Sequence, residues 1–156
     1  MSKISIGEIS LVIFDFDGVL TNNSVYVDEN GKETVRCSRA DGIGFDAMRK
    51  MNIKSYIISS EKNQVVSSRA KKLKVPTFQG VKNKWSLVCE IAQKHKIDIK
   101  KILFVGNDIN DYEAINNCGF SACPADSDKK IKEVSKIILK KNGGNGIVRE
   151  IVEDIL

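Results

Sequence analysis

The sequence DFDGVLTN, Asp15 to Asn22, follows directly on four apolar residues, LVIF. At the end of a strand, both Asp15 and Asp17 can face one crevice once the chain turns, and Gly18 supplies that turn. Carboxylates held so close repel one another and need a cation, a shared proton or strong donors. Magnesium suits them, as a hard ion that takes carboxylate and carbonyl oxygens. One carboxylate can then attack an electrophile while the other handles protons, a covalent route open to Asp.

Further groups belong with this pair. The stretch Tyr56–Ser59 ends in hydroxyls, Ser59 and then Ser60, which can donate to phosphoryl oxygens. Lys84, in QGVKNK, can pair with an anionic nucleophile and with a transferred phosphate. The apolar run ILFV leads into GNDIND, which brings Asn107, Asp108 and Asp111 to another strand end. Acid, hydroxyl, cation and acid again, each at a strand or loop end, make a constellation suited to phosphoryl transfer.

The elements that must position these groups alternate. Non-alternating apolar runs at 11–14, 53–59 and 102–105, with weaker ones at 119–123 and 136–139, predict strands buried on both faces. Helical patterns lie between and after them at about 42–51, 63–73, 84–95, 110–117 and 128–134, with a last short helix carrying Ile147, Ile151 and Ile155. The expected fold is α/β: a Rossmann-like three-layer parallel sheet with helices on both faces. VYVDENGKETV interrupts this rhythm, and its Asn30-Gly31 pair predicts a β-hairpin inserted at about 24–36. With 156 residues the chain is one domain, 1–156, without room for a separate cap. Cover for a site must come from the hairpin or from another subunit.

Composition removes several classes. One histidine, His95, leaves no partners for a His-rich zinc centre, and it is expected near a helix end, exposed and outside catalysis. Four cysteines without a CxxC pair argue against structural zinc and a disulfide scaffold, and Cys118 and Cys123 read as filler around a buried strand. No apolar stretch reaches membrane-spanning length and no leader pattern opens the chain, so no membrane association and a cytoplasmic address are expected. Lys and Arg number 25 against 20 Asp and Glu, and residues 62–84 carry seven bases without an acid. Such a field draws in an anionic small molecule. With 6% aromatic residues and no basic-aromatic interleaving, nucleic acid is not an expected partner.

Together DFDGVLTN, Ser59, Lys84 and GNDIND resemble the four motifs of the haloacid dehalogenase superfamily of magnesium-dependent phosphotransferases, over essentially the whole chain. The resemblance implies Asp15 as the nucleophile of an aspartyl-phosphate and Asp17 as acid to the leaving alcohol, then base to water. It also implies Mg2+ held by the Asp15 carboxylate, the Asp17 carbonyl and a residue of the last motif. That motif usually begins GD, and here the position is Asn107, which brings no formal charge. Asp108 or Asp111 can make up the loss directly or through water.

The chain is most similar to the capless sugar-acid phosphatase branch, in which a hairpin follows the first motif. That branch includes the 3-deoxy-D-manno-octulosonate 8-phosphate phosphatases, the nonulosonate 9-phosphate phosphatases and domains fused to acylneuraminate cytidylyltransferases. The resemblance implies a homotetramer joined through the hairpins, with each site partly closed by a neighbour. GGNGIVRE, residues 143–150, resembles the branch's C-terminal signature and brings Arg149 towards such a site. Asp41-Gly42 matches a pair at the mouth of the site. Arg36 and Arg39 are expected to face a phosphate or a neighbour. Octulosonate phosphatases read TGR where this chain reads SSE, with Glu61 in the arginine's place. Resemblance to the nonulosonate group implies that Glu61, with Arg69 and Lys72 at i and i+3 on one helix face, forms the substrate end of the site. The expected function is therefore Mg2+-dependent hydrolysis of a sialic-acid-type nonulosonate 9-phosphate. The alternatives are octulosonate 8-phosphate hydrolysis and an assembly domain that partners a cytidylyltransferase.

Overall fold

In the computed structural model, which describes residues 4–156, the strands fall where the apolar runs place them. They are β1 (Leu11–Phe14), β4 (Lys54–Ile58), β5 (Thr77–Phe78), β6 (Ile102–Val105), β7 (Phe120–Cys123) and β8 (Ile137–Ile138). All pair in parallel, in the order β5-β4-β1-β6-β7-β8. β1 sits at the centre, with Phe14 opposite Ile57 on one side and Val105 on the other. The short edge strand β5 lies inside the basic stretch, where no strand pattern was legible. Between and after the strands run α1 (Ala40–Lys50), α2 (Gln64–Leu73), α3 (Lys84–His95), α4 (Tyr112–Asn117), α5 (Lys129–Val134) and α6 (Ile147–Glu150), which continues as one wider turn to Ile155.

Every residue of β1 and β6 is buried because helices cover both faces. Val12 and Phe14 point into a core shared with Phe45 and Met48 of α1, Val66 and Ala70 of α2, and Ile147, Val148 and Ile151 at the C-terminus. Leu11 and Ile13 point the other way, onto Val88, Ile91 and Ala92 of α3, Ala114 and Ile115 of α4, and Ile131 of α5. The Phe14 ring meets Phe45 edge-on, with centroids 5.3 Å apart. This is the expected three-layer α/β fold.

The hairpin is longer than its sequence pattern suggests. β2 (Thr21–Val27) and β3 (Glu33–Cys37) pair antiparallel, with a register shift between Thr21 and Val25 where Asn23 takes a positive φ. Its tip is not a two-residue turn. Asp28 Oδ1 accepts the N–H groups of Asn30 and Lys32, and only Gly31 there is left-handed. Among the described residues there is no separate cap, and no helix is long and apolar enough to cross a membrane.

Candidate active site

In an open parallel sheet, ligands bind beyond the carboxyl ends of the strands, where the winding reverses direction. That point lies around β1, and the loops after β1, β4 and β6 meet there. A cavity of about 250 Å³ opens between them, lined by Asp15, Asp17, Asn23, Ser59, Ser60, Glu61, Asn107, Asp108 and Asn110. Three separate strand ends thus bring the acidic pair, the hydroxyls and the first residues of GNDIND together.

Asp15 is one residue past β1, and its N–H still donates to Val105 O at 2.9 Å, so the nucleophile position is an extension of the sheet. Its Oδ1 accepts the Phe16 N–H at 2.7 Å. Lys84, at the start of α3, sends its ammonium between Asp15 Oδ1 at 2.8 Å and Asp111 Oδ1 at 2.6 Å, with all three side chains buried. Burial alone would lower the lysine, but the two carboxylates outweigh it and hold it above its ordinary 10.5. Burial pushes Asp15 well above the usual carboxylate range and Asp111 adds to that, with Lys84 pulling the other way.

Asp17 is held by its own loop. Thr21 Oγ1 donates to Asp17 Oδ1 at 3.3 Å while accepting the N–H groups of Gly18 and Asn23. Burial raises Asp17 from 3.8, the Thr21 bond opposes this, and the Glu61 charge raises it further. Gly18 has φ +79°, and a Cβ there would come within 2.0 Å of the Asn107 amide, so glycine lets the two loops touch. Ser59 is anchored through its backbone to Phe78 and Val81, and its hydroxyl accepts the Glu61 N–H at 3.1 Å.

The donor set that faces a cation is mixed. One end of the Asn107 amide lies 2.8 Å from the Asp17 carbonyl oxygen and 3.3 Å from Asp15 Oδ2. Two acceptors admit only the NH2 end there, so the amide donates to both. Turned over, it presents its oxygen to the same point, giving a carboxylate, a carbonyl and an amide oxygen, the ligand types of a hard divalent ion. Among the described residues no cluster of three or more His, Cys, Asp or Glu is arranged to hold a metal, so the amide and the carbonyl are essential to the fit.

Asp111 does not take the place expected of a metal ligand. Its Oδ1 is committed to Lys84, and its Oδ2 accepts the N–H groups of Asn107 at 2.9 Å and Asp108 at 3.3 Å. It lies behind the cavity and fixes the loop that carries Asn107. Asp108 is exposed at the rim and caps the next turn through Ile109 N–H.

The expected substrate-end residues separate. Ser60 and Glu61 line the cavity, whereas Arg69, Lys72, Asp41, Gly42 and Arg149 do not. Arg69 donates to Ser38 O at 2.8 Å, Lys72 is exposed on the last turn of α2, and Arg149 pairs with Glu153 at 2.6 Å. Asp41 is buried and accepts the Val148 N–H at 3.0 Å, so it anchors the C-terminal segment instead of shaping the mouth. Gly42 meets Leu73. Arg36 reaches Asn145 and ties the hairpin to that segment. His95 is half-buried, against the expectation of exposure, because the Tyr56 hydroxyl bonds its Nε2 at 2.6 Å. Asn23 and Asn110 line the cavity without having been singled out; the only signal for Asn23 was its place directly after DFDGVLTN.

The model of the haloacid dehalogenase-like hydrolases matches residues 45–151. The 3-deoxy-D-manno-octulosonate 8-phosphate phosphatase of Salmonella typhi is 30% identical over 149 residues, spanning 95% of this chain and 79% of that protein. A haloacid dehalogenase family hydrolase of Streptomyces avermitilis superposes with a TM-score of 0.95 at 33% identity, over 99% of this chain and 89% of that one. The octulosonate 8-phosphate phosphatase of Moraxella catarrhalis, crystallised with magnesium, phosphate and the sugar acid, gives a TM-score of 0.90 at 30% identity, over 95% and 86%.

Proposed function

The chain belongs to the haloacid dehalogenase-like hydrolases and is a phosphoric monoester hydrolase, and from that premise we propose that it is a magnesium-dependent phosphatase of an acidic 2-keto-3-deoxy sugar phosphate, with 3-deoxy-D-manno-octulosonate 8-phosphate the substrate best supported. The observation that carries this is the meeting of Asp15, Asp17, Ser59 and Asn107 around one cavity, with Lys84 behind Asp15. The relatives favour the eight-carbon ester over the nonulosonate 9-phosphate. The nine-carbon reading leaned on Glu61 with Arg69 and Lys72, and only Glu61 reaches the cavity.

In this reading the Asp15 carboxylate attacks phosphorus, the ester P–O bond breaks, and Asp17 gives its proton to the departing alcohol oxygen. Burial of Asp17 and the nearby Glu61 charge favour the protonated acid this step needs. Asp17 then takes a proton from water as the water attacks phosphorus, which releases inorganic phosphate and regenerates the Asp15 carboxylate. Lys84 fixes the nucleophile from behind, and the hydroxyls of Ser59 and Ser60 hold the phosphoryl oxygens in line. Asp15, the Asp17 carbonyl and Asn107, with Asp108 at the rim, would hold Mg2+, which would neutralise charge on the transferred group.

We also assign a homotetramer built through the hairpins. In its favour, the cavity is open, and Val25, Tyr26 and Val27 are 54%, 59% and 62% exposed on a two-stranded ribbon. Such ribbons are marginal without a partner.

Phosphate release from the eight- and nine-carbon sugar-acid phosphates, with and without Mg2+, tests the function. The eight-carbon ester should have the higher kcat/KM, and Asp15→Asn should lower release by about a thousandfold or more with the fold intact. Retained activity in that variant removes Asp15 as the nucleophile. Absence of release at saturating Mg2+ favours an assembly domain.

A further inference from the structure

Beyond Asp17 the catalytic cavity runs on into a second hollow of about 230 Å³, between the hairpin and the start of α2. It shares Asp17, Asn23 and Glu61 with the first, so an alcohol that leaves phosphorus with the Asp17 proton has this space in front of it. Its character differs from that of the phosphate end. Glu33 on β3, Glu61 and Asn63 supply polar walls, and Val25, Val35 and Val65 supply an apolar side. Glu33 Oε2 accepts from Asn63 Nδ2 at 3.1 Å, which leaves Oε1 without an assigned partner. Asn63 cannot turn away, because its Oδ1 caps α2 through Val65 N–H and its carbonyl accepts Gln79 Nε2 at 2.8 Å.

Among the described residues no lysine or arginine lines either hollow. Carboxylate walls accept hydrogen bonds and repel anions, so the part of a ligand that rests there must offer O–H donors and carry no negative charge. The valine side chains suit the C–H face of the same group.

We propose that this hollow is the leaving-group subsite, that it takes an uncharged polyol segment next to the phosphorylated carbon, and that Glu33 is the residue that selects it. The inference rests on the phosphatase reading and deepens it. In an eight-carbon 2-keto sugar acid phosphorylated at its last carbon, the hydroxyls lie beside the ester and the carboxylate lies at the far end. Glu33 and Glu61 would then read the hydroxyls, and the carboxylate would project past both hollows. An ester whose carboxylate sits close to the phosphate would meet like charge.

The test compares wild type, Glu33→Gln and Glu33→Ala on 3-deoxy-D-manno-octulosonate 8-phosphate, 3-phosphoglycerate and p-nitrophenyl phosphate, with binding of the free sugar acid followed by calorimetry. Gln keeps an oxygen for Asn63 and removes the charge. In Glu33→Gln the kcat/KM ratio of the sugar ester to the nitrophenyl ester should fall about tenfold, mainly through KM. The ratio of 3-phosphoglycerate to the nitrophenyl ester should rise, and the free sugar acid should bind more weakly. Unchanged ratios and binding in Gln, with loss only in Ala, would overturn the proposal and leave Glu33 as a tie between hairpin and α2. No phosphate release from any ester, with binding still weakened in Glu33→Gln, would overturn the phosphatase reading and uphold the subsite.

Discussion

A carboxylate at position 107 would set three acceptor groups around one point where the wild-type amide places a donor. Asn107 now meets Asp17 O at 2.8 Å and Asp15 Oδ2 at 3.3 Å, which steadies the protein without a cation. Its neutrality should also weaken the hold on one, because affinity for hard ions follows the charge of the ligand set. Asn107→Asp is therefore expected to bind Mg2+ about tenfold more tightly by titration calorimetry. The same variant without metal should melt about 5 °C lower, since two buried acceptors lose their donor. An unchanged metal-free melting point together with unchanged affinity would remove Asn107 from the site. Behind it, Asp111 and Lys84 do not reach the cavity, yet they decide where Asn107 and Asp15 stand. Residue type and spacing put Lys84 beside the nucleophile and Asp111 among the metal residues, but which oxygen faces the cavity is set by backbone N–H groups that sequence does not display.

The C-terminal segment is the element whose role was least legible. GGNGIVRE offered a signature, and Arg149 was its obvious charge, but the segment acts through its backbone and through two buried acids. Gly143 presses so closely on the loop carrying Asp17 that a Cβ would lie 2.1 Å from Gly18 O. Glu150 accepts the N–H groups of Lys140 and Lys141 at 2.7 and 3.1 Å, and Asp41 of α1 accepts Val148 N–H. The strands of the core, by contrast, were readable because burial on both faces leaves unbroken apolar runs. Contacts a hundred residues apart in sequence leave no such local pattern, which is why Asp41 read as a site residue. Asp41 also has a titration consequence. Burial pushes it from the ordinary 3.8 up to about 6, with the Val148 bond, Arg69 and Lys141 opposing, and its Oδ2 has no partner. Between those values the folded protein keeps a proton that the unfolded chain has lost. The favourable term is therefore complete below pH 3.8 and is lost as pH rises through about 6, a change of about 3 kcal/mol. Asp41→Asn keeps an oxygen for Val148 without the charge. It should exceed wild type in urea unfolding by about 1–2 kcal/mol at pH 7.5 and lose that advantage by pH 4. A difference that stays constant between the two pH values would show that Asp41 does not titrate with folding.

Across the whole molecule the +5 balance does not converge on the site, as the basic stretch had suggested. Arg49 and Lys50 lie in the last turn of α1, Lys71 and Lys72 in that of α2, and Lys94 and His95 in that of α3. Helices that return antiparallel to the strands end at the opposite edge of the sheet, where cations complement the helix dipoles. The charged residues that line the cavity are Asp15, Asp17, Glu61 and Asp108, without a lysine or arginine among the described residues. In the proposed assembly, a substrate with both phosphate and carboxylate would draw further positive charge from a metal at the phosphate and from side chains of another copy at the carboxylate. The hairpin rises beside the cavity with Val25, Tyr26 and Val27 exposed, the surface through which the proposed assembly would bring that copy in. Charging this surface by Tyr26→Asp with Val27→Asp should lower the mass seen in light scattering from tetramer to monomer. Under that proposal turnover of the sugar-acid ester should fall with it, because the carboxylate end would lose the charge a neighbour brings while Asp15, Asp17 and Lys84 stay in place. A wild-type chain that is monomeric at assay concentration, or a charged variant of undiminished mass, would refute assembly through the hairpins. It would also leave the substrate carboxylate to be met by solvent.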